Sequence, residues 1–151
     1  MMKLRALVMD DSRIMRKMVM ESLMQTQLAD FAFTEAMDGT EGLSKFDAAQ
    51  FDILFVDWNM PNMSGIDFVR KIRSMPGTRR IAIIMVTSEK TMGKVMDALD
   101  NAGANEYICK PFTVEELGRK LKPIIQGIQA MAAGQAKPEK QSGFFSKLVS
   151  Q

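Results

Sequence analysis

The chain predicts an α/β fold: a doubly wound parallel sheet of five strands with helices on both faces. Three observations carry that prediction. Five short apolar runs alternate strictly with segments of helical periodicity along 151 residues, and right-handed crossovers turn such alternation into a parallel sheet. The runs are largely apolar, as strands covered on both faces should be. Acidic, hydroxyl and cationic residues follow those runs at the same end, where open parallel sheets form ligand sites.

The elements follow in order. Leu4–Met9 is the first strand, and Ser12 caps a helix in which Ile14, Met15, Met18, Val19 and Leu23 recur at helical spacing. Ala32–Ala36 is a weaker strand. Asp38-Gly39 turns the chain, and Thr40 caps a helix with Leu43 and Phe46 inward. Phe51–Val56 is the third and most apolar strand. A loop, Asp57–Ser64, carries Pro61 and ends at Gly65; the helix Ile66–Ser74 stops before Met75-Pro76-Gly77. Ile81–Val86 is the fourth strand. A helix over Thr91–Asn101 turns Met92, Val95, Met96 and Leu99 inward and closes at Gly103. Ala104–Cys109 is the fifth strand. Thr113 and Glu116 form a capping box for a last helix with Val114, Leu117 and Leu121 in its stripe, and Pro123 should kink or end it.

Residues 1–127 are read as one domain. After Gly127 the composition shifts to Ala, Gly, Gln and Lys, which reads as a flexible linker over 128–143. A short apolar segment, 144–151, follows. Phe144, Phe145, Leu148 and Val149 would share one face if helical. The segment reads either as an unstructured end or as a docking peptide for a partner groove, with a weak membrane contact beside Lys147 as a further option.

Composition excludes several functions. The 46% apolar fraction supplies an ordinary core. Residues 1–127 carry equal numbers of basic and acidic side chains, and the net +2 comes from Lys137, Lys140 and Lys147 against Glu139. A neutral body argues against nucleic-acid binding. The absence of His excludes His-based zinc sites, a His base and Ser-His-Asp triads. Cys109 is the only cysteine, so there is no internal disulfide, and its place in an apolar strand reads as packing. Lys3 and Arg5 precede an apolar run broken at Asp10, which fails as a signal peptide, and no stretch is long enough to span a bilayer. A soluble cytoplasmic monomer is the default expectation. Most of the 15 methionines fall on helix stripes or strands as core filling; Met60 and Met63, beside Asp57, are expected to be exposed to a kinase or phosphatase.

The strand-end residues define the chemistry. Asp10, Asp11 and Asp57 come from neighbouring strands, and three crowded carboxylates raise one another's pKa unless a cation joins them. Mg2+ suits them, because it takes oxygen ligands and keeps several waters. A screened Asp57 could act as a nucleophile and form an acyl phosphate. Lys110 and Thr87 would supply the charge and the hydroxyl donor that a phosphoryl oxygen needs. Lys110-Pro111 admits either peptide isomer. Taken singly, each feature has an ordinary structural explanation: an acidic pair before a helix is a dipole partner, and Tyr107 at a strand end is amphipathic packing. Together at one rim they point to phosphoryl chemistry.

Asp10-Asp11, the run from Asp57 to Met63 (Asp-Trp-Asn-Met-Pro-Asn-Met), Gly65, Val86-Thr87, Tyr107 and Lys110-Pro111-Phe112 resemble the receiver domain of two-component response regulators. The likeness is greatest to the stand-alone chemotaxis receivers and covers residues 3–126. It implies a flavodoxin-like (βα)5 fold with strand order 2-1-3-4-5. It also implies phosphorylation of Asp57 by a histidine kinase, with Mg2+ held by Asp11, Asp57 and the backbone carbonyl of Asn59, and by Asp10 through water. Thr87 and Lys110 would hold the phosphoryl group, Tyr107 would be the switch aromatic that turns inward, and Asn59 and Glu89 would tune hydrolysis. Ser88 departs from the usual Ala or Gly and would narrow the approach. The resemblance implies a switch rather than an enzyme, acting on an effector such as a flagellar motor switch protein, with a phosphatase as a further partner. The alternative is a relay intermediate that passes its phosphate to a histidine phosphotransfer protein. An aspartate-nucleophile phosphatase would need an acid where Asn59 stands. A flavodoxin would want a Ser/Thr/Gly-rich loop in place of Asp10-Asp11.

Overall fold

The computed structural model describes residues 1–134. Five parallel strands form one sheet in the order β2-β1-β3-β4-β5: β1 (Lys3–Met9), β2 (Asp30–Ala36), β3 (Ile53–Val56), β4 (Ala82–Thr87) and β5 (Glu106–Cys109). The doubly wound flavodoxin-like arrangement and its strand order are those expected. β3 and β4 are buried at every position, which is why both are apolar without alternation.

The pleat divides the core into two layers. Leu4, Ala6 and Val8 of β1 face one side, where they meet Val19 and Leu23 of α1 (Arg13–Gln25) and Leu117, Leu121, Ile124, Ile125 and Ile128 of α5 (Val114–Ala132). Leu7 and Met9 face the other side. There Phe68, Val69 and Ile72 of α3 (Gly65–Ser74) pack with Ala98, Leu99 and Ala102 after α4 (Met92–Met96). The helix α2 (Gly39–Lys45) covers the edge of that second layer, with Leu43 and Phe46 packed against it.

Several local expectations change. The cap of α2 is Asp38, whose side chain accepts the Glu41 N–H at 2.7 Å, and not Thr40, which is exposed. After five α-helical residues the fourth helix continues as a π-helical turn, Asp97–Ala102. The N–H of Gly103, in the left-handed region at φ 95°, closes that turn by donating to the Ala98 carbonyl at 3.1 Å. The buried face of the helix runs through Val95, Ala98, Leu99 and Ala102, and Met96 lies about 100° round the helix from Val95. Met92 and Met96, expected inward, therefore stand exposed, while Val95 packs on the core. Ile14 and Met18 of α1 also face solvent.

Pro123 does not end α5. Its missing N–H would have met the carbonyl of Arg119, and both residues lie on the exposed face, where water can serve that carbonyl. The buried stripe from Leu117 to Ile128, at about 1.5–3 kcal/mol per side chain, outweighs the roughly 3 kcal/mol penalty of an internal proline. The same stripe carries the helix to Ala132, so residues 128–132, expected to begin the linker, belong to the domain; Ile128 is buried. The rest of the expected linker from 135 and the apolar segment 144–151 lie outside the described residues.

Candidate functional site

Sheet topology puts the chemistry on one rim. Asp10 follows β1, Asp57 follows β3, Thr87 ends β4 and Lys110 follows β5. Backbone hydrogen bonds extend the ladder into the site: Asp10 N–H donates to Ala36 O, Asp57 N–H to Met9 O and Lys110 N–H to Thr87 O, at 3.2, 3.0 and 2.9 Å. These side chains therefore stand on sheet backbone rather than on free loops. Lys110-Pro111 is cis.

Carboxylate oxygens of Asp10, Asp11 and Asp57 lie within 4.8 Å of one another. Asp10 and Asp57 are buried, and Asp11 is exposed and opens the cluster to solvent. The Nζ of Lys110 is 2.6 Å from Asp10 Oδ2 and 3.8 Å from Asp57 Oδ2. The second oxygen of Asp10 accepts the Ser12 N–H at 2.9 Å, and that of Asp57 accepts the Trp58 N–H at 2.8 Å. Burial pushes the Asp57 carboxyl above its ordinary value; the Lys110 charge, the Thr87 hydroxyl and the Trp58 N–H oppose this, while the Asp10 charge adds to it. One lysine facing two buried acids and one exposed acid leaves negative charge uncompensated. Three hard oxygen donors with a solvent-facing side fit Mg2+ well, since it keeps waters in its shell.

The loop after β3 is shaped by Gly65. A Cβ there would fall 1.8 Å from the Asp57 carbonyl oxygen, so no other residue fits, and its N–H donates to Trp58 O at 2.8 Å. Met60 and Met63 of this loop, expected to be exposed, are partly buried against the core.

A second cluster flanks the acids. Asn59 Nδ2 donates to Glu89 Oε1 at 2.6 Å, and Glu89 Oε2 pairs with Lys94 at 2.9 Å. The Lys94 ammonium lies 5.5 Å from the centre of the Trp58 ring. Hydrogen bonds from Asn59 and Lys94 hold the Glu89 carboxyl below its usual range. Tyr107 is buried, at 3% exposure, and its hydroxyl donates to the Glu89 carbonyl at 2.8 Å. The ring that the resemblance has turning inward is thus already inward here. Ser88 is exposed beside the buried Thr87. Sequence reasoning missed Lys94, which α4 brings back onto Glu89, and it read Asp38 only as a turn residue.

The family model described as "Response regulator receiver domain" matches residues 6–122. The chemotaxis protein CheY1 of Helicobacter pylori is 42% identical over 123 residues, covering 81% of this chain and 97% of that protein. The chemotaxis protein CheY of Pseudomonas aeruginosa is 35% identical over 128 residues, covering 83% and 98%. Among solved structures, the chemotaxis response regulator CheY4 of Vibrio cholerae superposes with a TM-score of 0.68 at 32% identity, covering 84% of this chain and 99% of that one.

Proposed function

Because this chain belongs to the response regulator receiver domain family, whose members are phosphorylation-dependent switches of two-component signalling rather than enzymes, we propose that it is a chemotaxis-type switch phosphorylated on Asp57. The observation that supports this most is the meeting of three carboxylates, Lys110 and Thr87 at one buried rim. The phosphodonor is a histidine kinase. An Asp57 carboxylate oxygen attacks the phosphorus, the bond to the kinase histidine nitrogen breaks with its electron pair on that nitrogen, and an acyl phosphate results. Asp11, Asp57 and the Asn59 carbonyl would hold Mg2+, with Asp10 acting through water. Bound there, the ion would neutralise charge between the carboxylates and the incoming anion.

Lys110 and Thr87 receive the phosphoryl oxygens. Lys110 must first loosen its bond to Asp10, so accepting phosphate redistributes this ion pair. Thr87, whose hydroxyl now accepts the Glu89 N–H at 3.3 Å, moves toward the phosphate as a donor. Because Tyr107 is tied to the Glu89 carbonyl, that movement is felt at β5 and at the exposed methionines of α4. Ser88 narrows the approach, and Asn59 and Glu89 gate the water that hydrolyses the product.

The output is altered affinity for an effector such as a flagellar motor switch protein, in the cytoplasm. Incubation with Mg2+ and a small acyl phosphate, read by intact mass, tests the acceptor. Wild type should gain one phosphoryl group and Asp57→Ala none; a wild type that stays unmodified overturns the reading. Titrating motor-switch and histidine phosphotransfer proteins against the phosphorylated form separates the switch from a relay.

Among the described residues no helix is long and apolar enough to cross a membrane. For residues 144–151, the docking peptide for a partner groove is the reading open to test against an unstructured end. Deleting residues 138–151 should lower partner binding while leaving phosphorylation intact; unchanged binding removes that role.

A further inference from the structure

Eight residues, Asp57–Ser64, carry the acceptor and the Asn59 carbonyl between β3 and α3. The loop's own hydrogen bonds are few: Gly65 N–H to Trp58 O, Trp58 N–H to Asp57 Oδ1 and Met63 N–H to Pro61 O at 2.7 Å. Two further bonds tie it to the turn after β2. Asn62 Nδ2 donates to Asp38 Oδ2 at 2.7 Å, and Gly39 N–H donates to Met63 O at 3.3 Å. The two segments touch, since a Cβ on Gly39 would fall 2.7 Å from Met63 Cβ.

Asp38 is 6% exposed and makes no ion pair among the described residues. Its charge is met by the Glu41 N–H on one oxygen and the Asn62 amide on the other. Asn62 sits at φ 68°, a left-handed conformation that Asn tolerates better than most residues. One residue thus supplies both the backbone turn and the donor that reaches the buried carboxylate.

We propose that Asn62 and Asp38 are positioning residues for the acceptor loop, holding it in its metal-binding shape before any cation arrives. Ordering a loop costs conformational entropy, and a loop ordered in advance does not incur that cost on binding. Hydrogen-bonding groups behind metal ligands commonly change metal affinity by about 10–100-fold. The proposal rests on the receiver reading of the acidic site, and it assigns to these two residues a role in Mg2+ affinity rather than in phosphoryl transfer itself.

The test uses the full chain with Asn62→Gly, Asn62→Asp and the double variant Asp38→Asn/Asn62→Asp. Glycine allows the left-handed backbone and removes the amide but also frees the backbone, so recovery in the double variant separates the lost bond from the added flexibility. Asn62→Asp sets two carboxylates against each other, and the double variant restores the bond with donor and acceptor exchanged while keeping an α2 cap. Mg2+ affinity is read from the fluorescence of Trp58, the only tryptophan, and loop order from amide exchange over residues 58–63 without Mg2+. Asn62→Gly should weaken Mg2+ binding by about tenfold and speed loop exchange. Asn62→Asp should do more, and the double variant should recover both readouts. Wild-type affinity and wild-type loop exchange in Asn62→Gly, with or without a lower melting temperature, overturn the proposal. If wild type shows no Mg2+ response, the metal reading itself fails, and loop exchange alone still decides whether the pair orders the loop.

Discussion

Asp57 carries an electrostatic cost that its neighbours only partly remove. Burial raises its carboxyl above the ordinary value of 3.8 despite Lys110 and Thr87. The folded protein therefore binds this proton more tightly than the unfolded chain does. Stability from this group is greatest below 3.8 and is lost as pH rises through the folded value. At neutral pH without Mg2+, Asp57→Asn should melt higher than wild type, and the difference should shrink as pH falls toward 4. Mg2+ should raise the wild-type melting point, because it binds only the folded site. A variant that melts lower at pH 7 contradicts the argument. Asp10, Asp11, Asp57, Thr87 and Lys110 were legible in the sequence because each follows an apolar run, and one topological rule gathers such positions. Lys94 and the Asn62–Asp38 bond were not. They depend on where a loop and a helix turn back in space, which spacing along the chain does not encode.

The elements were legible to the extent that burial on one face dictates periodicity. β3 and β4 are continuous apolar runs, and Ser12 and Thr113 cap their helices as short hydroxyl residues do. Two of the failures show tertiary packing overriding the local reading. The fourth helix buries the face of Val95, Ala98, Leu99 and Ala102, which leaves Met92 and Met96 in solvent. The stripe of α5 holds the helix through Pro123 although the local penalty is large. That penalty remains in the folded protein and can be recovered. Pro123→Ala restores an N–H for the Arg119 carbonyl on an exposed face, and should stabilise the domain by about 1–3 kcal/mol. Thermal melting should rise by about 2–4 °C for each of those kcal/mol, with phosphorylation unchanged. A fall in melting temperature would mean that the helix needs a bend at this point.

At the scale of the whole molecule, the acceptor rim and the face of β5 are joined through Glu89. Its side chain meets Asn59 and Lys94, its N–H meets Thr87, and its carbonyl meets the Tyr107 hydroxyl. A buried Tyr107 in the unphosphorylated chain means that the inward ring is an available state before any phosphate is added. On the proposed switch, phosphorylation would strengthen one existing arrangement, as population shift requires. Burial, followed by the nearby Cys109, Glu89 and Asp57 charges, pushes the Tyr107 phenol from 10 up to about 12. Because the chain has a single tyrosine, tyrosinate absorbance reports this residue alone. The unphosphorylated protein should titrate well above 10 while still folded. Since the folded phenol holds its proton more tightly than the unfolded one, the stability it contributes should be lost as pH climbs from 10 through about 12. A titration centred at 10 in the folded protein would place the ring in water, and phosphorylation would then have to move it inward outright.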